Sequence, residues 1–315
     1  MNNQELRLRK VRDFGERIGD TVLFLKKNWT RLLVLYAVFV IPFLLVGIIL
    51  GANSFADIMT KFTGDINSIS KLVMGGKLIF AFFMFFCASA SYGTVVYLYM
   101  DEYDRNNGQM PGIQDIANRF IRSFLYNIGY LVLLVLMFVP VILVISMFFV
   151  FFQSLIAVFL ILLIPFFFIL MLFAMAYTLM LFPVAIIDKG RFGSAIRITF
   201  SLLKGKWWFS VGYAIILFII YYFFALTIST VLNLIFGLTS LNMMDPEQIA
   251  GLGKSYAYVF GLSTVIQQVF YLVIFIGGGI HYYSVHEEKM GVGLEQEIDR
   301  IGEGGRKNEG GIETW

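Results

Sequence analysis

Two histidines and two glutamates lie together near the C-terminal end of the chain, in the segment GIHYYSVHEEKM. His281 and His286 are the only histidines, and Glu287 and Glu288 follow the second one directly. Imidazole nitrogens and carboxylate oxygens are common ligands of Zn²⁺, so these residue types suggest a metal site. Their spacing argues against it, because residues five apart lie on different faces of a helix, unlike the histidines of H-E-x-x-H. We expect no metal here and interpret the histidines as part of an aromatic belt at the membrane surface.

Other arrangements typical of enzymes are missing from the sequence. A serine hydrolase needs a base beside its nucleophile, and no histidine occurs before the C-terminal segment. A phosphodiesterase needs carboxylates and histidines around a metal or a phosphate, whereas the acidic residues here are dispersed over loops and tail. The nucleotide-binding motif G-x-x-x-x-G-K-[ST] does not occur. We therefore expect that the protein is not an enzyme and binds no cofactor.

Two adjacent amides, Gln267 and Gln268, lie inside the last apolar segment and are the amides and hydroxyls within the spans that are most costly to bury without partners. A buried amide needs a hydrogen-bond partner, and one of the two is expected to bond across a helix interface. The alternative is that they contact a transported substrate. No Asp, Glu, Lys or Arg lies well inside an apolar segment, which argues against a proton-coupled transporter.

The elements that carry these residues are predicted to be membrane-spanning helices. Hydrophobic residues make up 59% of the chain and charged residues only 14%, and no charged residue occurs between Arg122 and Asp188. A helix needs about 20 apolar residues to cross a hydrocarbon core of about 30 Å. Six segments meet this requirement, which predicts an all-α, polytopic membrane bundle. They are residues 32–52, 78–100, 124–149, 155–187, 208–235 and 259–285.

The distribution of basic residues predicts the orientation. With six crossings, twenty of the 24 Lys and Arg residues fall on the side that holds both termini, and only Lys61, Lys71, Lys77 and Lys254 fall on the other. The positive-inside rule then places both termini in the cytoplasm. The net charge of +3 is too small to indicate nucleic-acid binding.

An internal repeat precedes the apolar segments. Phe14, Ile18, Thr21, Leu25 and Trp29 recur at the same spacing as Phe192, Ile196, Thr199, Leu203 and Trp207. This spacing is that of an amphipathic helix, and a weaker third copy begins near Ile113. We predict three amphipathic helices on the membrane surface, each followed by a span, with the bend at the Trp in the first two copies and near Phe124 in the third. The units cover about 12–100, 113–187 and 191–285 of one membrane domain 1–285, followed by a polar tail, 286–315, that is expected to be disordered.

The basic and aromatic residues at these bends are the candidate contact residues. Trp prefers the headgroup level and Lys extends its ammonium group into water, so the bends are interpreted as membrane anchors. The alternative, compatible with the first, is a site for anionic lipid or for a protein partner. The candidates are Lys26, Lys27, Trp29, Arg191, Arg197, Lys204, Lys206, Trp207 and Trp208.

Proline and glycine mark where the spans should bend or approach one another. Pro42, Pro140 and Pro165 are predicted to kink their helices. The run of three glycines at 277–279 is expected to break the last span and to let neighbouring helices pack closely.

The segment PVAIIDKGRFGSAIRITFSLLKGKWWFSVGY, residues 183–213, resembles bacterial six-span proteins grouped with the glycerophosphoryl diester phosphodiesterase membrane domain. In that group a span ends in Pro, an acidic residue follows, and a basic amphipathic helix ends in a K-G-x-W-W-like motif. The matching residues are Pro183, Asp188, Arg191, Arg197, Lys204, Gly205, Trp207 and Trp208. The resemblance implies the fold, a location in the bacterial inner membrane and little chemistry, since the family's catalytic activity lies in a separate domain that we do not expect here.

Two functional hypotheses follow. The first is a non-enzymatic scaffold or accessory subunit that contacts membrane lipids and partner proteins through its basic cytoplasmic face. The second is a transporter or a lipid-handling permease for a small or amphipathic molecule, suggested by the repeated units and kinked helices.

Overall fold

The computed structural model describes residues 6–61, 76–151, 156–188, 192–240 and 246–291. Within these ranges the chain forms eight α-helices and no β-strand, which confirms the all-α class for this part of the protein. The helices are α1 (Phe14–Phe39), α2 (Ile41–Lys61), α3 (Gly76–Arg105), α4 (Ile113–Phe151), α5 (Ile156–Ile187), α6 (Phe192–Leu203), α7 (Trp207–Ser240) and α8 (Pro246–Met290).

Four segments are long and apolar enough to cross a membrane: Gly76–Arg105, Pro165–Ile187, Trp207–Ile235 and Gly261–Met290. The bent pair of α1 and the first half of α2 makes a fifth if it counts as one crossing. Among the described residues, four to five helices thus have the length and composition expected of a multi-pass membrane protein. The remaining predicted span, 124–149, lies in α4, where many side chains are outside the described part of the structure.

The helices α3 and α8 form the centre of the bundle. Side chains of α3 are almost continuously buried from Cys87 to Tyr103, and α8 packs against α1, α2, α3, α5 and α7. The glycines at 277–279 lie where neighbouring helices approach α8 closely: a Cβ on Gly277 would come within 2.5 Å of Leu217, and one on Gly278 within 2.9 Å of the Tyr97 hydroxyl. The predicted close approach is confirmed. The predicted break is wrong, because α8 is one continuous helix through all three glycines.

The first bend lies later in the chain than the sequence predicted. Trp29 is inside α1, which continues without a break to Phe39, and a bend of 49° separates it from α2 at Val40. Pro42 is the second residue of α2. Its ring removes one backbone donor and disfavours helical geometry in the residue before it. The kink predicted at Pro42 is thus present, and the bend predicted at Trp29 is wrong.

The second bend matches the prediction. The short helix α6 ends at Leu203, the left-handed Gly205 (φ +79°) turns the chain, and α7 begins at Trp207. The third predicted bend is absent, because α4 runs without interruption from Ile113 through Phe124. No Gly or Pro lies near Phe124 on its N-terminal side within α4 to end the helix there. The predicted tail at 286 also begins within a helix, since α8 continues to Met290, and residues 292–315 lie outside the described ranges.

Candidate functional site

A buried arginine, Arg17, lies on α1 at the point where α1, α7 and α8 meet. Arg17 is only 2% exposed. Nη1 lies 2.5 Å from Nδ1 of His281 on α8, and Nε donates a hydrogen bond of 3.1 Å to the carbonyl of Arg12. The guanidinium also lies 4.4 Å from the centre of the Phe209 ring on α7. Arg17 therefore joins three helices that are far apart in the sequence.

His281 is fully buried beside this arginine, with its ring stacked 5.0 Å from that of Tyr213. Because a guanidinium only donates hydrogen bonds, Nδ1 of His281 must be the acceptor. Nε2 then carries the proton and donates to Oγ of Ser210 at 2.8 Å. The interpretation of His281 as a residue at the membrane surface is wrong. Its Arg partner and the closely packed aromatic rings exclude both water and headgroups.

The hydroxyls of Thr21 and Tyr213 extend the same network. Thr21 donates to the carbonyl of Arg17 at 2.7 Å, so its oxygen is the acceptor for Tyr213 at 3.1 Å. Thr21 belongs to the first copy of the repeat, where it was predicted to lie on the apolar face of α1. Its burial confirms that face and shows that the face is directed at α7.

The N-terminal arm, residues 6–13, packs against the helix ends. Leu8 is 2% exposed, and the guanidinium of Arg12 pairs with Asp20 at 2.5 Å and donates to the carbonyls of Leu8 and Lys10. The Arg12 backbone N–H donates to Oγ of Ser284 on α8 at 2.9 Å. Arg12 thus holds the arm in a fixed shape, and the arm in turn covers Arg17.

A second polar cluster connects α3, α4, α5 and α8. Arg119 on α4 pairs with Asp101 at 2.6 Å and also with Glu102, both on α3. At the end of α5, Asp188 accepts a hydrogen bond of 2.5 Å from the hydroxyl of Tyr282. Burial raises the pKa of the Asp188 carboxyl, against the opposing effects of the Tyr282 hydrogen bond and of His286. This carboxyl is therefore easier to protonate than an exposed aspartate.

The basic candidate residues differ in whether their side chains bond to another residue of the protein. Lys27 bonds the hydroxyl of Tyr103 at 3.2 Å, and Lys206 pairs with Glu288 at 2.6 Å. Lys26, Arg197 and Lys204 are exposed and form no ion pair among the described residues. Arg191 lies outside the described residues.

The predicted tryptophans also differ from one another. Trp29 is 47% exposed, and Trp208 is 70% exposed. Trp207 is half-buried, and its ring lies 5.3 Å from that of Phe173 and 5.9 Å from that of Phe200. Trp208 contacts the same Phe173 at 5.3 Å. Together these rings tie the start of α7 to α5 and α6.

The two glutamines do not provide the predicted hydrogen bond across a helix interface within the described part of the chain, where both are half-buried. Tyrosines of α1 and α3 instead donate hydrogen bonds to backbone carbonyls in the same region of α8. Tyr36 donates to the carbonyl of Val265 at 2.7 Å, and Tyr92 donates to that of Val269 at 3.2 Å. Packing across this interface thus depends on residues that the sequence had not indicated.

Sequence reasoning also missed Arg17, although one signal could have revealed it. Arg17 falls between Phe14, Ile18 and Thr21 on one face of α1, at the spacing of residues that pack together. A basic residue in an apolar stripe is either a snorkelling side chain or a buried one with a partner. The partner, His281, cannot be identified from local spacing.

The buried polar groups of both clusters mainly bond to one another, and these bonds hold neighbouring helices together. Among the described residues, no group of three or more His, Cys, Asp and Glu side chains is placed to hold a metal ion. No protein-family model, no curated protein and no solved structure matches the chain.

Proposed function

We propose that the protein is a non-enzymatic scaffold or accessory subunit of the bacterial cytoplasmic membrane that binds partner proteins at its cytoplasmic face. One observation carries the proposal, namely the division of charges between two roles. Arg12 and Arg17 are buried and Arg119 is partly buried, and all three are bonded within the bundle. The exposed Arg197 and Lys204 form no ion pair among the described residues. Internal charge thus rigidifies the protein, and external charge is left for partners.

The proposal includes a topology of six crossings with both termini in the cytoplasm and with α6 lying on the membrane surface. The one-sided distribution of Lys and Arg supports it. So does α6, in which Ala195, Thr199 and Leu202 are buried while Arg197 is exposed, as is Lys204 directly after it. The proposed relation to the glycerophosphoryl diester phosphodiesterase membrane domain rests on the residues of the 183–213 segment.

Cysteine labelling tests the topology. The single native Cys87 is replaced by Ala, and one new cysteine is placed at Asn107 or at Ser68. Asn107 lies in the turn between α3 and α4, and Ser68 lies between α2 and α3. A membrane-impermeant maleimide added to intact cells should label the variant with Ser68→Cys and should label the variant with Asn107→Cys only after lysis. Labelling of Asn107→Cys in intact cells contradicts the proposed orientation.

Partner capture tests the scaffold function. The double variant Arg197→Gln/Lys204→Gln removes the two exposed charges of α6 and its turn that form no ion pair among the described residues. It leaves the Lys206–Glu288 pair intact. After crosslinking in cells and purification in mild detergent, quantitative mass spectrometry should show specific partners depleted several-fold. The matched control is Lys77→Gln, which removes an exposed lysine from the opposite side in the proposed topology. Equal partner recovery from the natural protein, the double variant and the Lys77→Gln control contradicts the proposal.

A transporter remains the second candidate because of one buried group. Asn127 on α4 donates to the carbonyl of Ala90 at 2.8 Å and to Oγ1 of Thr94 at 3.0 Å. Its Oδ1 is buried and lacks a hydrogen-bond partner in the described structure. An unsatisfied acceptor within a span is costly and would suit a polar substrate. Substrate-dependent protection of Asn127→Cys from a small thiol reagent would favour transport over the scaffold function.

A further inference from the structure

An apolar groove of about 500 Å³ runs between α5 and α7 on the outer surface of the bundle. It is lined by Phe168, Leu172 and Met175 of α5 and, among others, by Ile215, Ile219 and Leu226 of α7. Phe168, Ile219 and Leu226 are each more than half exposed. At 1.5 Å per residue, the distance along α7 from Ile215 to Leu226 is about 16 Å. The groove is therefore as long as about half of a hydrocarbon core of 30 Å.

Aromatic rings connect this groove to the turn between α6 and α7. Trp208 is strongly exposed, and its ring contacts Phe173, a neighbour of the groove residue Leu172. Along α7, Ile215 lies about 10 Å from Trp208. A chain that descends from the level of Trp208 thus reaches the groove while still within its own leaflet and ends inside it.

The charge at this turn is positive. Lys204 and Lys206 lie within it, Lys289 lies against it, and Arg197 is exposed on α6, which ends there; Lys206 pairs with Glu288. Lys289 donates to the backbone carbonyls of Ser201 and Lys204. The side chain of Lys204 itself is exposed and has no ion-pair partner among the described residues. The turn therefore complements an anion.

We infer that the groove between α5 and α7 binds an acyl chain of an anionic phospholipid whose phosphate lies at Lys204 and Trp208. The inference rests on the proposed topology, in which this turn faces the cytoplasm. Charge distinguishes the lipid from a partner's membrane-spanning helix. Such a helix carries basic residues on its cytoplasmic flank, and these would be repelled by Arg197 and Lys204. An anionic headgroup is attracted, by about fivefold in affinity for each basic residue near the surface.

Fluorescence quenching by brominated lipids tests the inference. The variant Trp29→Phe/Trp207→Phe/Trp315→Phe leaves Trp208 as the only tryptophan, and the purified protein is placed in nanodiscs without any partner. At equal mole fraction, dibrominated phosphatidylglycerol should quench Trp208 severalfold more effectively than dibrominated phosphatidylcholine. In this background Lys204→Gln should lower the preference for phosphatidylglycerol over phosphatidylcholine about fivefold. The matched control Lys26→Gln, which removes an exposed lysine from α1, should retain it.

A second measurement addresses the groove. Phosphatidylglycerol that remains bound after extensive washing in detergent is counted by mass spectrometry. Ile219→Trp fills the groove and should lower the retained lipid severalfold, whereas Leu234→Trp, an exposed position on α7 outside the groove lining, should not. Unchanged retention in Ile219→Trp overturns the assignment of the groove.

The outcomes separate this inference from the proposed function. Equal quenching by the two headgroups, or a preference that survives Lys204→Gln, overturns the lipid site and leaves the scaffold proposal untouched because no partner is present. Bromines at positions 6 and 7 of the chain should quench Trp208 more than bromines at positions 11 and 12. The reverse order places Trp208 deep in the membrane and contradicts the topology itself.

Discussion

Arg17 and His281 are 264 positions apart in the chain and form a buried hydrogen bond of 2.5 Å between Nη1 and Nδ1. The bond joins the first helix to the last and is covered by the arm that Arg12 holds in place. A buried guanidinium is costly to desolvate, so its neighbours must supply acceptors and a polarisable surface. His281, the carbonyl of Arg12 and the ring of Phe209 supply them.

The two partners of this bond should not contribute equally to stability. Arg17→Met leaves His281 with one unpaired acceptor, a loss of about 1–3 kcal/mol. His281→Phe removes one of the acceptors of a buried positive charge, which costs more than leaving a neutral acceptor unpaired. The double variant should lose less than the sum of the two. Unfolding in mixed micelles, followed by circular dichroism, measures all three, with His286→Phe as a control. Strictly additive losses would show that the bond contributes no coupling energy.

Gly261 on α8 should tolerate no larger residue while Ile48 on α2 faces it. A Cβ at Gly261 would overlap the side chain of Ile48, which is branched at Cβ and cannot turn away freely. Gly261→Ala should destabilise the protein by about 1–3 kcal/mol. The loss should shrink in the background of Ile48→Ala. Gly212→Ala on α7 is the control, because nothing lies within 4 Å of its added Cβ, and it should be neutral or slightly stabilising.

The turn before α7 depends on the left-handed conformation of Gly205, with φ of +79°. Gly205→Ala should cost about 1 kcal/mol or more, because a side chain at positive φ is strained although the space around it is open. Gly205→Asn should cost less, since Asn adopts this conformation more readily. Gly193→Ala within α6 serves as the control and should not destabilise. Thermal unfolding in detergent compares the three variants, and equal midpoints for Ala at 205 and at 193 would contradict the prediction.

Asp188 should make stability depend on pH in a defined direction. Burial raises its pKa above the ordinary value of 3.8, while Tyr282, His286 and the more distant Arg9 oppose that rise and Asp101 adds to it. Between 3.8 and the raised value, the folded state keeps a proton that the unfolded state has lost. Its contribution to stability is therefore greatest below 3.8 and falls as the pH rises through the folded pKa.

The variant Asp188→Asn tests this sign. It keeps an oxygen that can accept the Tyr282 hydrogen bond and removes the buried charge. Its free energy of unfolding should decline less with rising pH than that of the natural protein, as measured by denaturation in buffers from pH 4 to pH 7. A parallel decline in both proteins would exclude Asp188 as the source.

Local patterns in the sequence were enough to predict the all-helical class, several apolar helices long enough to cross a membrane, the kink at Pro42 and the bend before α7. Each of these depends on residues close in the chain: the length of an apolar run, the lack of an N–H in Pro42, or the freedom of Gly205 to adopt positive φ. The same local reasoning failed at Trp29 and near Phe124. A Lys–Trp pair or an aromatic residue prefers a certain depth in the membrane but does not remove a backbone hydrogen bond, so α1 and α4 continue through both positions.

Only the tertiary structure decided which polar side chains are used inside the bundle. Arg17 and Lys26 are both basic residues of α1, yet Arg17 is buried against His281 and Lys26 is exposed. The difference arises because α8, together with Tyr213 of α7, packs on one face of α1. His281, the partner of Arg17 on that face, lies 264 residues further along the chain. A sequence determines the chemical groups on each helix face, whereas the packing of the faces determines which groups lose water and must find a partner.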